Sequence, residues 1–519
     1  MLGGTATALR YPTASPWGTE GPATIPSPRS FFPYDGDGWA PSRETRVVAL
    51  LGGGADTETA RHHTVTLARQ LAEELVMEGH LHRPPKVVPL PLSRVRREDV
   101  AVGIRSSRGG ERYVLEVRAG GPAVIVGDSA AGAYYGTRTL LQSLRSASEG
   151  GVPAGRVEDA PDRPQRGIMI DIGRKFYTKE WLERLIRDLG WLKLNYLHLH
   201  FSENEGFGIE NRRHPSIVSK EHLTQREVRE LVELAAQHHV TVIPEIDMPG
   251  HMGRILSVYP ELALKNAEGK GSGKVLDVSK PAAVRLANEL IDEYLPLFPG
   301  PYWHIGGDEA LNSEPQGDPE ELYPHLVAYA EERVGKGANT HDAFTLFLND
   351  LNAKLRRKGR TCRAWNDGMD GKGALVRPDT TIEIDYWENL GGKLKHAQQF
   401  VDEGYRVLNA HSRFFYYVVA EPEFPWYPHP DPRRIYQEWE LAQFEGQDPM
   451  KENPPPAEAR GAHLSVWADR PADETERQIA DGIREPLRAL SQRTWQDREP
   501  KPSYERFAAL SKRLGHAPA

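Results

Sequence analysis

The sequence predicts an α/β protein in which a (β/α)8 TIM barrel is preceded by a small α+β domain. Eight segments with strand character follow one another from residue 167 to residue 469, and helical patterns lie between most of them. A (β/α)8 barrel requires this alternation, and insertions would take it beyond its usual length of about 250 residues. From about residue 45 to 150, strand-like runs instead surround two helical stretches, which is typical of a small α+β domain.

The eight predicted barrel strands are short runs rich in β-branched and aromatic residues. They are GIMIDI (167–172), NYLHLHFS (195–202), TVIPEID (241–247), YWHIGG (302–307), TCRAWND (361–367), TIEIDYW (381–387), YRVLNAH (405–411) and AHLSVWAD (462–469). The connection between the fifth and sixth strands, GMDGKGALVRPD, is too short and too rich in glycine for a full helix. We therefore expect an irregular segment there.

This pattern divides the chain into three parts. We predict an N-terminal extension over residues 1–44, the α+β domain over 45–160 and the barrel over 161–519. The polar stretch SASEGGVPAGRVEDAPDRPQ reads as the linker between the two domains.

Composition excludes several classes of protein. The 519 residues are 39% hydrophobic and 27% charged, which is ordinary for a globular protein, and a net charge of -8 argues against nucleic acid as the partner. No apolar run is long enough for a membrane span. The single cysteine, Cys362, excludes an intramolecular disulfide and a cysteine-based zinc site. The first residues show no signal peptide, so the chain would be cytoplasmic as it stands, or secreted if its true N-terminus differs.

The segment YWHIGGDEA (302–310) contains the strongest candidate for a site. Successive side chains on a strand point to opposite faces, so Asp308 and Glu309 could share a site only if the strand has ended. Gly306 and Gly307 relax the backbone just before them, and active sites of this fold lie at the carboxyl ends of the strands. Both carboxylates are therefore predicted at the barrel mouth.

Other strand ends carry polar and aromatic residues that would converge on the same pocket. They are His198, His200, Asp247, His251, Trp365, Asp367, Asp385, Trp387, Trp467 and Asp469. The two histidines on the second strand are equally well explained as interior residues with satisfied hydrogen bonds, and any one of the tryptophans could be packing alone.

These motifs resemble a known family. VIPEIDMPGH (242–251) followed by WHIGGDEA (303–310) is similar to the β-N-acetylhexosaminidases of glycoside hydrolase family 20. RGIMIDIGRKFY (166–177), LNYLHLHFSENEGF (194–207), AWND (364–367) and YW (386–387) match its other strand-end motifs in order. The first domain looks like the non-catalytic α+β domain that precedes the barrel in this family.

The resemblance implies a retaining exo-β-N-acetylhexosaminidase. Such an enzyme removes terminal N-acetylglucosamine or N-acetylgalactosamine from an oligosaccharide or glycoconjugate, with no metal or cofactor. The 2-acetamido group of the substrate attacks the anomeric carbon and forms an oxazolinium intermediate. By similarity, Glu309 is the general acid and base, and Asp308 orients the acetamide. We expect the neighbouring carboxylate and partial burial to raise the pKa of Glu309. His304 and Asp247 match a relay to the acid, with His251 nearby.

The resemblance also implies a set of substrate-binding residues. Arg166 matches an arginine that clamps ring hydroxyls, and Trp365, Trp387 and Trp467 match aromatic walls around the sugar. The remaining expected members are Glu203, His251, Tyr416, Tyr417 and Asp469.

Three departures from the family pattern bear on this set. Glu203-Asn204 stands where relatives often carry two aspartates, and Trp467-Ala468-Asp469 stands where they carry Trp-x-Glu. In RFFYY (413–417) the usual aspartate after a tyrosine is absent, so either Tyr416 or Tyr417 could contact the acetamide. The insertion over 412–459 is expected to overhang the site.

Three alternatives stay open. His198-x-His200 with His251 and Asp308 could hold zinc in a metal-dependent barrel hydrolase. A sugar-binding protein without activity is disfavoured by the intact acidic pair. A lacto-N-biosidase of the same family would release a disaccharide, whereas Arg166 as a clamp on terminal hydroxyls favours release of a single sugar. The sequence leaves the natural glycan and the oligomeric state undetermined.

Overall fold

The structure is a computed structural model. It describes residues 21–52, 57–105, 109–147, 151–311, 314–371, 373–419, 427–446, 457–497 and 502–518. The chain forms two compact units: one extends to Pro161 and includes the segment from Pro500, and the other is Asp162–Glu499. None of the described helices has the length and hydropathy of a membrane span.

The first unit is a seven-stranded mixed sheet in the order β1-β7-β5-β6-β4-β2-β3, packed against helices. The strands are β1 Ser30–Pro33, β2 Val47–Leu51, β3 Val87–Pro91, β4 Val100–Ile104, β5 Tyr113–Val117, β6 Ala123–Gly127 and β7 Gly155–Asp159. The helices are α1 Glu58–Met77, α2 Ala130–Ser146 and a C-terminal helix, Tyr504–Leu514, which contacts α2.

The first unit is larger than the 45–160 domain that the sequence indicated. β1 lies in the predicted extension, and β7 lies in the predicted linker. The C-terminal helix, predicted as part of the barrel, belongs to this unit. β7 is difficult to recognise from its sequence, because GRVED contains one large apolar residue, Val157, and three charged residues. Residues 1–20 of the predicted extension lie outside the described residues.

The second unit is the predicted (β/α)8 barrel. Its eight parallel strands are β8 Gln165–Asp171, β9 Tyr196–His200, β10 Thr241–Glu245, β11 Tyr302–His304, β12 Thr361–Trp365, β13 Glu383–Tyr386, β14 Val407–Asn409 and β16 Ala459–Trp467. β16 pairs with both β14 and β8, which closes the barrel. A short strand, β15 Tyr416–Val418, adds to the carboxyl half of β16. All eight predicted strands are confirmed, and each of them ends earlier than predicted.

Helices surround the barrel. They are α3 Lys179–Trp191, α4 Gln225–Gln237, α5 Gly253–Leu256, α6 Pro281–Tyr294, α7 Pro319–Leu322, α8 Pro324–Val334, α9 Thr340–Arg357, α10 Ala397–Asp402, α11 Ser412–Phe415, α12 Pro432–Gln437 and α13 Glu476–Trp495. Between β12 and β13 the described residues contain one 3-10 turn, Asp367–Met369, and no α-helix. The irregular segment expected there is confirmed.

Candidate active site

A pocket of about 600 Å³ opens at the carboxyl ends of the barrel strands. Its wall combines ionisable side chains with a group of aromatic rings. The lining residues are Arg174, His251, Asp308, Glu309, Trp365, Trp387, Tyr416, Val418, Tyr427, Trp467 and Asp469. An aromatic wall beside a few convergent polar groups is the usual construction of a small-molecule binding pocket.

The turn after β11 brings both carboxylates to this pocket. The ladder ends at His304, and the next residues leave the extended conformation: φ is +72° at Gly306, +97° at Gly307 and +50° at Glu309. A Cβ at Gly306 would lie 1.6 Å from Asp247 Oδ1, so only glycine fits there. Strand alternation has therefore stopped before Asp308 and Glu309, which explains how neighbours in sequence share one site.

His251 connects the two carboxylates to a third. Its Nε2 lies 3.4 Å from Asp308 Oδ2 and 3.5 Å from Glu309 Oε2. Its Nδ1 lies 2.9 Å from Glu203 Oε2. Glu203 is buried and also pairs with Arg174 at 2.6 Å. The result is a chain of charges from Arg174 through Glu203 and His251 to the acidic pair.

These contacts shift the ionisation of the site. Burial and the neighbouring Asp247 raise the pKa of Asp308 well above its ordinary value. Burial raises the pKa of Asp247 to about 7. His251, whose Nε2 lies 3.5 Å from Glu309 Oε2, lowers the pKa of Glu309, so the expectation of a raised value was wrong. The pKa of His251 is well above its ordinary value because burial is outweighed by the nearby carboxylates, Asp308 and Glu203 foremost.

His304 does not reach Glu309. It is the last ladder residue of β11 and points into the barrel, where its Nδ1 lies 2.9 Å from Glu245 Oε1. Asp247 accepts a hydrogen bond from the Gly307 N–H at 3.1 Å, so it supports the turn beside Asp308. The predicted relay through His304 is therefore wrong, and His251 occupies that place.

Arg166 lies outside the pocket, contrary to the prediction. It stands at the amino end of β8, where its guanidinium donates to the carbonyl oxygens of Lys193, at 3.0 and 2.9 Å, and of Arg163, at 2.7 Å. Arg174 follows the carboxyl end of the same strand and lines the pocket, paired with Asp171 at 2.9 Å. The motif RGIMIDIGRKFY contains both arginines, and strand direction alone would have selected the second.

The aromatic residues form one connected wall. Tyr416 stacks on Trp387 with ring centroids 6.0 Å apart and planes at 7°, and it contacts Trp467 at 5.9 Å. Trp365 lies 5.8 Å from Trp467. Tyr427, from the insertion over 412–459, also lines the pocket and was not among the predicted residues. Other parts of that insertion, 420–426 and 447–456, lie outside the described residues.

The two candidate tyrosines separate clearly. Tyr416 is in the pocket. Tyr417 donates its hydroxyl to Glu474 at 2.7 Å and stacks on His429 at 4.1 Å, away from the pocket lining. The structure therefore brings Tyr416, and not Tyr417, to the place where a substrate would lie.

The residues proposed as zinc ligands do not form one set. His198 Nε2 lies 2.9 Å from Glu245 Oε2, and His200 Nδ1 lies 2.5 Å from the same oxygen, inside the barrel. His251 and Asp308 instead cluster with Asp247. Among the described residues, no group with metal-ligand geometry contains the four residues that the sequence suggested.

Comparison with known proteins identifies the family. The family model described as "Glycosyl hydrolase family 20, catalytic domain" matches residues 164–497, and "Glycosyl hydrolase family 20, domain 2" matches residues 21–160. The chain belongs to glycosyl hydrolase family 20.

Two curated relatives are considerably longer than this chain. A lacto-N-biosidase of Bifidobacterium bifidum is 30% identical over an alignment of 532 positions, which covers 99% of this chain and 44% of the relative. A beta-hexosaminidase of Porphyromonas gingivalis is 30% identical over 52% of this chain and 37% of the relative. The chain thus spans less than half the length of either protein.

Solved structures share the fold. The Streptomyces plicatus N-acetyl-beta-hexosaminidase aligns with a TM-score of 0.72 at 22% identity, over 95% of this chain and 94% of that one. The Vibrio harveyi exo beta-N-acetylglucosaminidase aligns with a TM-score of 0.73 at 20% identity, over 96% of this chain and 78% of that one.

Proposed function

We propose that this chain is a retaining exo-β-N-acetylhexosaminidase that acts by substrate-assisted catalysis. The observation that carries the proposal is the placement of Asp308 and Glu309 side by side in one pocket, both within 3.5 Å of His251. Family membership supports it. The substrate class is a glycan or glycoconjugate that ends in N-acetylglucosamine or N-acetylgalactosamine.

In the first step the acetamide carbonyl oxygen of the substrate attacks the anomeric carbon. The bond to the leaving-group oxygen breaks while Glu309 donates a proton to that oxygen. Asp308 accepts the acetamide N–H and balances the positive charge of the oxazolinium ion. The rings of Trp365, Trp387 and Trp467 surround the acetamide and exclude water until the leaving group has departed.

The proton for Glu309 has a source within the site. With no substrate bound, the raised pKa of Asp308 favours its protonated form, whereas His251 keeps the pKa of Glu309 low. An acetamide N–H donated to Asp308 would favour its ionised form, since hydrogen bonds to a charged carboxylate stabilise it. The released proton can reach Glu309 through His251. In the second step, water attacks the anomeric carbon and opens the oxazolinium ion while Glu309 takes a proton from that water. This attack restores the β configuration at the anomeric carbon.

Arg174 and Asp469 are the groups that would bind the ring hydroxyls of the terminal sugar. Both line the pocket. Arg174 is held by Asp171 at 2.9 Å and Glu203 at 2.6 Å, and its guanidinium lies 5.7 Å from the centre of the Trp467 ring. A fixed guanidinium is suited to sugar hydroxyls. We assign to Arg174 the clamping role that sequence similarity had given to Arg166, and this favours release of single sugars.

Release of a disaccharide is the competing function. The Bifidobacterium bifidum relative is named a lacto-N-biosidase and aligns over 99% of this chain. Asp469, one carbon shorter than the glutamate of the Trp-x-Glu pattern, would leave additional room beside Trp467.

The test compares hydrolysis of nitrophenyl N-acetyl-β-glucosaminide with that of nitrophenyl lacto-N-bioside. We expect higher kcat/KM on the first, because an O3-linked galactose would displace the hydroxyl that Arg174 binds. A strong preference for the second would establish disaccharide release. Activity on neither would refute the proposal.

A further inference from the structure

Asp367 is a strand-end residue to which the mechanism above assigns no role. It follows β12 and begins the 3-10 turn Asp367–Met369. Its Oδ2 accepts a hydrogen bond from the backbone N–H of Glu309 at 2.8 Å. Its Oδ1 accepts one from the indole N–H of Trp387 at 3.2 Å. One carboxylate thus holds both the proposed general acid and a wall of the pocket.

The bond to Glu309 is made at an unusual point of the backbone. Glu309 has φ +50°, a left-handed conformation that residues with a side chain seldom adopt. Only surrounding contacts can keep a residue in such a conformation. The N–H of Glu309 donates to Asp367, so this carboxylate fixes the peptide from which the catalytic side chain extends.

The turn that carries Asp367 is packed tightly against the turn that carries the acidic pair. A Cβ at Gly368 would lie 2.0 Å from the carbonyl oxygen of Gly307, so the two backbones touch. Asp367 therefore has little freedom to move relative to Glu309. Packing alone would bring the turns together, but it would not direct an acceptor at the Glu309 N–H.

The charge on Asp367 is costly in this position. Burial and the nearby Asp308 raise the pKa of Asp367 to about 7. A neutral side chain would avoid that cost, yet it could not accept two N–H bonds through two oxygens as a carboxylate does. The buried carboxylate is explained if the two bonds it accepts serve the reaction.

We propose that Asp367 is a positioning residue, which holds the Glu309 backbone in the geometry needed for proton transfer to the leaving group. This inference rests on the proposed function. It predicts that loss of the carboxylate harms the reaction through Glu309, so the effect must depend on how much protonation the leaving group needs.

The test measures kcat/KM for Asp367→Asn on phenyl and 2,4-dinitrophenyl N-acetyl-β-glucosaminides. Phenol is a poor leaving group that requires the acid, whereas dinitrophenol departs with little protonation. We expect a loss of roughly 10- to 100-fold in kcat/KM on the phenyl substrate and a much smaller loss on the dinitrophenyl substrate. The loss on the phenyl substrate should not exceed the roughly 10²–10⁴-fold that general acid catalysis supplies, because Glu309 itself is retained. Asp370→Asn is the matched control: Asp370 is buried on the same turn, and its Oδ1 accepts the Lys395 N–H at 3.2 Å. For Asp370→Asn, the ratio of kcat/KM on the phenyl substrate to kcat/KM on the dinitrophenyl substrate should equal that of the unaltered protein.

A second comparison separates positioning from folding. The ratio of two rates on one preparation does not depend on the folded fraction, so general destabilisation cannot mimic the result. In a Glu309→Gln background, Asp367→Asn should change kcat/KM by the same factor on both substrates, because the group that Asp367 positions is already lost. If Asp367→Asn yields no folded protein, Asp367→Glu, which keeps the charge and displaces the oxygens, is assayed in the same way.

The outcomes are distinct from those that test the function. Equal losses on both substrates, or a leaving-group effect that persists without Glu309, would overturn the role of Asp367. If the unaltered protein hydrolyses neither substrate, the proposed function itself fails.

Discussion

The two arginines at opposite ends of β8 should differ in their effect on the reaction. Arg166, 1% exposed, donates to the carbonyl oxygens of Lys193 and Arg163 at the amino end of the strand. A buried hydrogen bond from a charged group contributes about 1.5–3 kcal/mol, so loss of the bonds to two carbonyls in Arg166→Met predicts a destabilisation of about 3–6 kcal/mol. Methionine retains much of the side-chain volume, which limits any cavity.

Arg174→Met should instead impair the reaction. Arg174 lines the pocket, and loss of one charged hydrogen bond to a sugar hydroxyl, about 1.5–3 kcal/mol, corresponds to roughly 10- to 150-fold in kcat/KM. Part of this loss in kcat/KM would be indirect, because Glu203 pairs with Arg174 at 2.6 Å and also holds His251. Each variant is the control for the other, since both remove one guanidinium.

The assay combines thermal unfolding with kinetics on nitrophenyl N-acetyl-β-glucosaminide. Arg166→Met should lower Tm by roughly 6–24 °C, because a loss of about 3–6 kcal/mol is expected and 1 kcal/mol corresponds to about 2–4 °C in a domain of 150–250 residues. It should keep kcat/KM within about threefold. Arg174→Met should show the loss in kcat/KM. A large kinetic loss with unchanged Tm for Arg166→Met, together with normal kinetics for Arg174→Met, would refute the assignment.

Three further predictions concern the acidic pair and its histidine. Glu309→Gln should lower turnover by about 10²–10⁴-fold on substrates with poor leaving groups and least on nitrophenyl substrates, and uniform near-normal rates on both would reject the acid assignment. Asp308→Asn should retain the Tm yet slow oxazolinium formation and weaken inhibition by an N-acetyl-thiazoline, and unchanged inhibition would contradict its role. Asp308 and Glu203 raise the pKa of His251 well above 6.5. His251 is therefore fully charged below pH 6.5, and it loses its charge as the pH rises through the raised pKa. We therefore expect kcat/KM to fall on the alkaline side and this decline to be absent in His251→Asn, measured as pH profiles; an identical profile would exclude His251 as the titrating group.

The barrel could be predicted from sequence because its signal is periodic and local. Each of the eight strands is a short apolar run, helical patterns lie between most of them, and strand ends are known to carry the site of this fold. Asp308 and Glu309 were found in the same way, through two glycines at a strand end. β7 was missed because three of its five residues are charged, so its composition is that of a loop.

The contacts within the site required the structure. His251 and His304 both lie near strand ends, and only the fold shows that His304 points to Glu245 whereas His251 contacts both Asp308 and Glu309. The low pKa of Glu309 follows from that contact and could not be inferred from an adjacent carboxylate.

The assignment of Arg166 to the pocket was wrong for a different reason. Its motif contains two arginines eight residues apart, and similarity was attached to the one at the wrong end of the strand. The direction of the chain in a barrel strand places Arg174, three residues after the end of β8, at the mouth. Tyr427 could not be assigned, because its position depends on the path of a long insertion with no regular period.

The central claim is that the substrate's own acetamide group is the nucleophile. The most direct measurement compares kcat/KM for 4-nitrophenyl N-acetyl-β-glucosaminide with that for 4-nitrophenyl β-glucoside, which has the same leaving group and a hydroxyl in place of the acetamide. We expect kcat/KM to be several orders of magnitude higher for the first substrate, because without the acetamide no group in the mechanism attacks the anomeric carbon. Comparable turnover of the two substrates would contradict substrate-assisted catalysis by this protein.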